Sequence, residues 1–196
     1  TIKQHFYKIN DEAHRLAALR LLLLESRPES AIIFCETKKE TQEIADQLES
    51  FGFSSVALHG DMEQKDRERS LIKFRNGTNQ ILIATDLAAR GIDIPEMNYI
   101  IHFQLPLSKE EFTHRNGRTA RMNSEGTAYV LQWEKEEIPD FIKDLNTDSY
   151  IADELTQYNQ PTIDRWNTLF ISGGRKDKIS KGDIAGLFCK QGKLNR

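Results

Sequence analysis

Two cysteines in 196 residues, Cys35 and Cys189, are too few and too far apart for a disulfide framework or a zinc site. No apolar run approaches the roughly 18 residues of a membrane span. The longest, Leu21 to Leu24, lies inside a helical pattern. The opening Thr1-Ile2-Lys3-Gln4 lacks both a starting Met and the charged-then-apolar plan of a signal peptide, so it reads as a domain edge in a cytoplasmic protein. An excess of positive charge is missing as well. With 27 Lys and Arg against 30 Asp and Glu, the net charge is −3, which argues against coating nucleic acid by bulk charge. Any such site must be local, and Lys65 to Arg75, with five basic residues, and the Arg175 to Arg196 tail are the two regions that qualify. Finally, no Gly-x-x-x-x-Gly-Lys-Ser/Thr occurs, so the chain carries no phosphate-cradling loop of that kind.

What is present is a repeated alternation of short apolar runs and helical patterns. Strands are predicted at 4–9, 31–36, 55–59, 80–85, 99–103 and 127–133. Between them lie helical patterns at 12–26, 39–51, 63–74 and 110–118, with a looser turn at 88–97 and a closing helix near 135–145. Ala-Ile-Ile-Phe-Cys and Ile-Leu-Ile-Ala are apolar throughout rather than alternating, as a parallel sheet covered on both faces requires. The fold class is therefore α/β, an open, mostly parallel sheet over residues 1–147 with helices on both faces. Residues 148–164 are polar, contain Pro161 and read as a linker.

Open sheets of this kind place their sites at the carboxyl ends of the strands. After the second predicted strand come Thr37 and Lys38, where a hydroxyl can cap a helix or, with lysine, meet a phosphate. After the third come His59, Gly60 and Asp61, with Arg67 about a turn and a half into the next helix. Gly60 permits a tight turn or close backbone approach. After the fourth comes Ala84-Thr85-Asp86-Leu87-Ala88-Ala89-Arg90-Gly91-Ile92-Asp93-Ile94-Pro95. Its small residues let another backbone approach, and a carboxylate such as Asp93 suits ribose hydroxyls.

His114-Arg115-Asn116-Gly117-Arg118-Thr119-Ala120-Arg121 is the densest stretch. On a helix, His114, Arg118 and Arg121 would share one face. That many cations repel one another unless an anion meets them, and the planar guanidinium suits phosphate. By contrast, Asp11-Glu12-Ala13-His14 follows no apolar strand that would aim its carboxylates. It precedes a long amphipathic helix, so Asn10 or Asp11 is read as a helix cap.

Taken in order, Ala-Ile-Ile-Phe-Cys, His-Gly-Asp with Gln64-x-x-Arg67, Ala-Thr-Asp-Leu-Ala-Ala-Arg-Gly-Ile-Asp and His-Arg-Asn-Gly-Arg-Thr-Ala-Arg resemble the second RecA-like domain of a DEAD-box RNA helicase. The resemblance implies that ATP and RNA bind between this domain and an N-terminal RecA-like domain, which holds most of the Mg²⁺ coordination. It implies that Arg118 and Arg121 are arginine fingers, that His114 couples the site to the partner domain, and that Asp93 holds the ribose. Arg90 and Gly91 would join the nucleotide side to the RNA side. Thr37, Lys38, Gly60, Asp61, Arg67, Thr85 and Asp86 would face the RNA backbone. No metal ligand is assigned in this chain. Asn116 and Ala120 depart from the family pattern, which has an aliphatic residue and commonly Gly there.

The tail from Trp166 through Ile184 resembles the opening of the RNA-recognition-motif-like domain of DbpA helicases, so 165–196 is read as the first part of that fold. The resemblance implies ATP-dependent RNA unwinding in ribosome assembly, with ribosomal RNA as the tail's target, and a monomer is expected. The fragment by itself is expected to be inactive. The rival readings are a DNA helicase or repair translocase of the same superfamily, and a non-enzymatic RNA-binding or docking module.

Overall fold

The computed structural model describes residues 2–92, 94, 97–119, 126–143, 148–151 and 168–192, the backbone alone at 143, 148–151 and 191. The chain divides into two units, Thr1–Trp166 and Asn167–Arg196.

The first unit is built on seven parallel strands: β1 (Ile2–Ile9), β2 (Ala31–Cys35), β3 (Ser55–Leu58), β4 (Ile81–Thr85), β5 (Tyr99–His102), β6 (Gly126–Trp133) and β7 (Asp148–Ile151), in the order β3-β4-β2-β5-β6-β1-β7. Strands β2 and β4, apolar without alternation, are buried at every position. They lie in the interior of the sheet, where both faces are covered. The helices are α1 (Arg15–Ser26), α2 (Lys38–Ser50), α3 (Gln64–Arg75), α4 (Asp86–Ala89), α5 (Lys109–Asn116) and α6 (Asp140–Lys143).

Side-chain alternation along the strands sorts the core into two faces. Ile33, Ile83 and Ile101 pack with Leu19, Leu22 and Leu23 of α1 and Ile44 and Leu48 of α2. On the opposite face Ile32, Phe34 and Ile100 pack with Phe74 of α3 and Ala88 and Ala89 of α4. Phe6 and Val130 continue that face beneath Phe112 of α5 and Ile142 of α6. A buried arginine joins α1 to the carboxyl ends of β5 and β6. Arg15 donates to the carbonyls of Phe103 (2.5 Å) and Leu131 (2.9 Å) and pairs with Glu12 and Glu136.

Three elements differ from expectation. Residues 148–151, read as the start of a linker, pair in parallel with β1 over His5–Lys8. Their own sequence is too short and polar to announce a strand; the free edge of β1 recruits them. The closing helix, described over Asp140–Lys143, begins later than expected because Glu134 to Glu136 form a turn first. The helix expected to run to residue 118 stops at Asn116, where Gly117 caps it and the Arg118 N–H reaches back only to Arg115. The shared helical face therefore ends before Arg118, although that side chain still meets His114. Asp11 is the helix cap read from the sequence: it accepts from the Ala13 N–H at 3.0 Å and a short 3-10 turn follows.

In the second unit, Arg175–Asp177 form a 3-10 turn and Ser180 caps α7 (Lys181–Gly186), which continues as a π-turn through Gln191. The first strand that the resemblance of the tail implies does not form over 168–174. A strand needs a neighbour to hydrogen-bond, and this unit has none among its described residues. Leu169 and Phe170 are accordingly 67% and 61% exposed.

Candidate functional site

Helices α2, α4 and α5 all begin just beyond the carboxyl ends of strands, and each is capped by a hydroxyl. Thr37 accepts from the Glu40 N–H (3.2 Å), Thr85 from Ala88 (3.4 Å) and Ser108 from Glu111 (3.2 Å). The caps fix where these loops turn, and so where the polar residues between strand and helix point.

Arg115 locks α5 to this edge. It is 1% exposed and forks onto Asp86, Nε to Oδ1 at 2.9 Å and Nη2 to Oδ2 at 2.6 Å. Its Nη1 donates to the Gln104 carbonyl (3.1 Å) and to His102 Nδ1 (3.4 Å). Since His102 Nδ1 accepts, its proton sits on Nε2, which donates to Asn116 Oδ1 at 2.9 Å. Asn116, the departure noted in the sequence, thus has a partner waiting on β5. Burial, with the neighbouring Arg115 charge, holds the His102 pKa down to about 3.

A pH dependence follows. Below the ordinary histidine range of about 6.5 the unfolded chain takes up a proton that folded His102 refuses. Its contribution is fully present above that range and is lost as pH falls toward 3. Unfolding stability in urea should fall by up to about 1.4 kcal/mol per pH unit across that window. His102→Gln, which keeps a donor for Asn116, should flatten the slope by one proton. Equal slopes for variant and wild type between pH 4 and 6 would count against a neutral buried His102.

Arg118 is 8% exposed and closes the neighbouring loop. It donates to the carbonyls of Ile92 (3.1 Å) and Ala89 (3.0 Å) and to His114 Nε2 (2.8 Å). His114 therefore carries its proton on Nδ1, and burial together with Arg118 and Arg90 keeps the ring neutral by lowering its pKa. That buried Nδ1 has no hydrogen-bond partner. Gly91 takes φ +70°, a turn that favours glycine between exposed Arg90 and Ile92. Asp93, Ala120 and Arg121 lie outside the described residues.

On the side of β2 and β3, Lys38 pairs with Asp61 at 2.5 Å, both exposed, which contributes little to stability. A Cβ at Gly60 would only touch Lys38 Cε at 3.4 Å, so the domain's own packing does not demand glycine there. Arg67 is half-buried on α3 and forms no side-chain ion pair among the described residues. The structure thus gathers Arg90, Gly91, His114 and Arg118 about the β4 loop, and Thr37, Lys38, Gly60 and Asp61 about the ends of β2 and β3. Thr85 opens α4, and Asp86 has both carboxylate oxygens engaged by Arg115. No group of three His, Cys, Asp or Glu among the described residues could hold a metal, and none of the described helices is long and apolar enough to cross a membrane.

Sequence reasoning passed over Arg115, His102 and Gln104. The histidine offered a signal, since a titratable ring closing the apolar run Tyr-Ile-Ile-His needs a buried partner. Nothing local in sequence says that the partner is Asn116.

Comparison with known proteins agrees with this geometry. The helicase conserved C-terminal domain family matches residues 14–123, and the DbpA RNA binding domain family matches 168–196. The ATP-dependent RNA helicase DbpA of Escherichia coli (strain K12) is 36% identical over 193 residues, covering 94% of this chain and 41% of that protein. The DEAD-box ATP-dependent RNA helicase RhpA of Helicobacter pylori (strain B128) is 36% identical over 184 residues, 94% of this chain and 36% of its own. The chain thus spans less than half the length of these relatives. Among solved structures, the C-terminal domain of the DEAD-box protein Dbp5 superimposes with a TM-score of 0.70 at 30% identity, covering 78% of this chain and 92% of that one. The E. coli DEAD-box protein SrmB, solved bound to regulator of ribonuclease activity A, gives 0.68 at 30% identity over 86% of this chain and 99% of that one. With its parallel RecA-like sheet, its Arg-rich α5 edge and the matched tail, the chain belongs to the helicase conserved C-terminal domain family, in the DbpA-like group of DEAD-box RNA helicases.

Proposed function

We propose that this chain is the C-terminal half of an ATP-dependent RNA helicase core that closes on an N-terminal RecA-like domain to enclose ATP and one RNA strand. The observation that carries the reading is the Arg118 clamp, in which one guanidinium bonds to the Ala89 and Ile92 carbonyls and to neutral His114 beside Arg90. Those acceptors are all uncharged. A γ-phosphate offered by the closing partner competes well for the same N–H groups, since charge-assisted hydrogen bonds are roughly twice as strong as neutral ones.

In this reading Arg118 and Arg121 stabilise charge on the transferring phosphoryl group. Asp93 accepts from the ribose hydroxyls, and Arg90 and Gly91 link the nucleotide to the RNA. His114, bonded to Arg118 through Nε2, couples the site to the partner domain. Mg²⁺ bound with ATP would be held mainly by that domain and would neutralise phosphate charge; this chain's own residues bind, orient and neutralise. Thr37, Lys38, Gly60, Arg67 and Thr85 hold the sugar-phosphate backbone, so strand capture is insensitive to base sequence. Asp86 and Asp61 shape that surface, Asp86 through Arg115 and Asp61 through Lys38. Residues 168–196 belong to the domain that selects the RNA, with ribosomal RNA and ribosome assembly as the proposed setting.

The test is ATP hydrolysis by the full-length protein, with single-stranded RNA compared against single-stranded DNA of the same sequence. Stimulation by RNA alone, with no turnover and weak RNA binding by the 196-residue chain, is the expected result. Equal stimulation by DNA would move the assignment to a DNA translocase. Turnover by the isolated chain would remove the need for a partner domain and overturn the reading.

A further inference from the structure

Gln104, just beyond β5, touches both sides of the site at once. Its Nε2 donates to Glu40 Oε1 at 2.7 Å, and its Oε1 accepts from the Glu36 N–H at 3.1 Å. Its backbone carbonyl accepts from Arg115 Nη1 at 3.1 Å. Glu40 in turn takes the Thr37 hydroxyl proton on Oε2 at 2.9 Å, while Thr37 Oγ1 accepts from the Glu40 N–H. On the other side Arg115 holds Asp86, which opens the short helix whose Ala89 carbonyl binds Arg118. A path of hydrogen bonds thus runs from Thr37 through Glu40, Gln104 and Arg115 to Asp86, and the backbone of α4 carries it on to the Ala89 carbonyl that Arg118 holds.

We infer that Gln104 is a positioning residue that couples RNA capture at the Thr37 loop to the placement of Arg118 at the nucleotide. The inference rests on the helicase reading above. Its physical basis is the single proton on Thr37 Oγ1. A phosphate oxygen that accepts this proton takes it from Glu40, leaving a carboxylate close to a second anion. Among the described residues the Gln104 amide is the side-chain donor that remains for Glu40, so the carboxylate is drawn toward it. Gln104 carries that load at the strand end whose carbonyl orients Arg115. The amide suits this bridge because Glu36 requires an acceptor and Glu40 requires a donor, and the two ends of the amide supply one each. A carboxylate at 104 would accept from Glu36 but repel Glu40.

The measurement is the factor by which a non-hydrolysable ATP analogue with Mg²⁺ tightens binding of fluorescein-labelled oligouridylate by the full-length protein. It is compared for wild type, Gln104→Glu, Glu40→Gln and the double exchange. In the double exchange the amide at 40 donates to the carboxylate at 104, which still accepts from Glu36, so the bridge is rebuilt with its polarity reversed. The expected result is a coupling factor lowered about tenfold in each single variant, within the usual range of coupling free energies, and restored to within about threefold of wild type in the double exchange. A purely structural role would lower thermal stability and leave this factor unchanged. If wild type couples and Gln104→Glu couples equally, or if the double exchange stays as low as the single variants, the inference is overturned. A wild type that shows no coupling overturns the helicase reading itself, and this inference with it.

Discussion

Replacing Arg118 by lysine in the full-length protein is expected to lower RNA-stimulated ATP turnover by about 10³-fold, the lower end of the range for arginine fingers. In barrier terms that is roughly 4 kcal/mol. Lysine keeps the positive charge, so what is tested is the planar fork. The structure adds a second expectation. Arg118 also tethers the 89–92 turn through two carbonyls, and an ammonium cannot span both in the same plane. The KM for ATP should therefore rise together with the fall in kcat, because the loop carrying Arg90 loses its anchor. Arg121→Lys should produce a comparable fall in kcat. Rates within about threefold of wild type for both variants would be far below a finger's contribution, and the basic stretch would then be an ordinary helix end.

Removing Arg115 should be the most destabilising single change at this edge. Arg115→Ala leaves the Asp86 carboxylate without its fork partner in a site where the pair is largely buried, the acid being 15% exposed. It also strips the donor from the Gln104 carbonyl and from His102 Nδ1. Breaking one partner of a buried pair typically costs about 3–5 kcal/mol. Urea unfolding of the 196-residue chain should show a loss of that order. Replacing both members, Arg115→Met with Asp86→Leu, should recover a large part of it, because no unpaired charge is left behind. A loss below about 1 kcal/mol in Arg115→Ala, the scale of exposed pairs, would mean that apolar packing alone docks α5. Phe112 against Phe6 and Val130 would be the packing responsible.

The difference between these two arginines bears on how the site is built. Arg118 and Arg115 lie three residues apart in one motif, yet the first holds two backbone carbonyls and an imidazole while the second neutralises a buried acid. In the proposed reading the carbonyls and imidazole around the first give way to a phosphate at modest cost. The second cannot leave without exposing Asp86. Residue type is identical; the partners decide which is available for chemistry.

Much of this was legible in the chain itself. Uninterrupted apolar runs at 31–35 and 81–84 identified strands covered on both faces, since such a strand needs no polar alternation. Thr37, a hydroxyl at a strand-to-helix turn, marked a cap, and the polar, small-residue stretch from Thr85 marked a loop that carries the site. These signals act over a few residues, the range within which propensity and periodicity operate. What only the tertiary structure decided lies beyond that range. Strand order brings the ends of β2, β4 and β5 side by side, and so sets Gln104 on Glu40 across 64 residues and Arg115 on Asp86 across 29. It gave Asn116 a buried histidine to bond and gave residues 148–151 a free strand edge to join. Hydrogen bonds between distant residues depend on which backbone segments are neighbours, and that is a property of the packed sheet rather than of any segment's own composition.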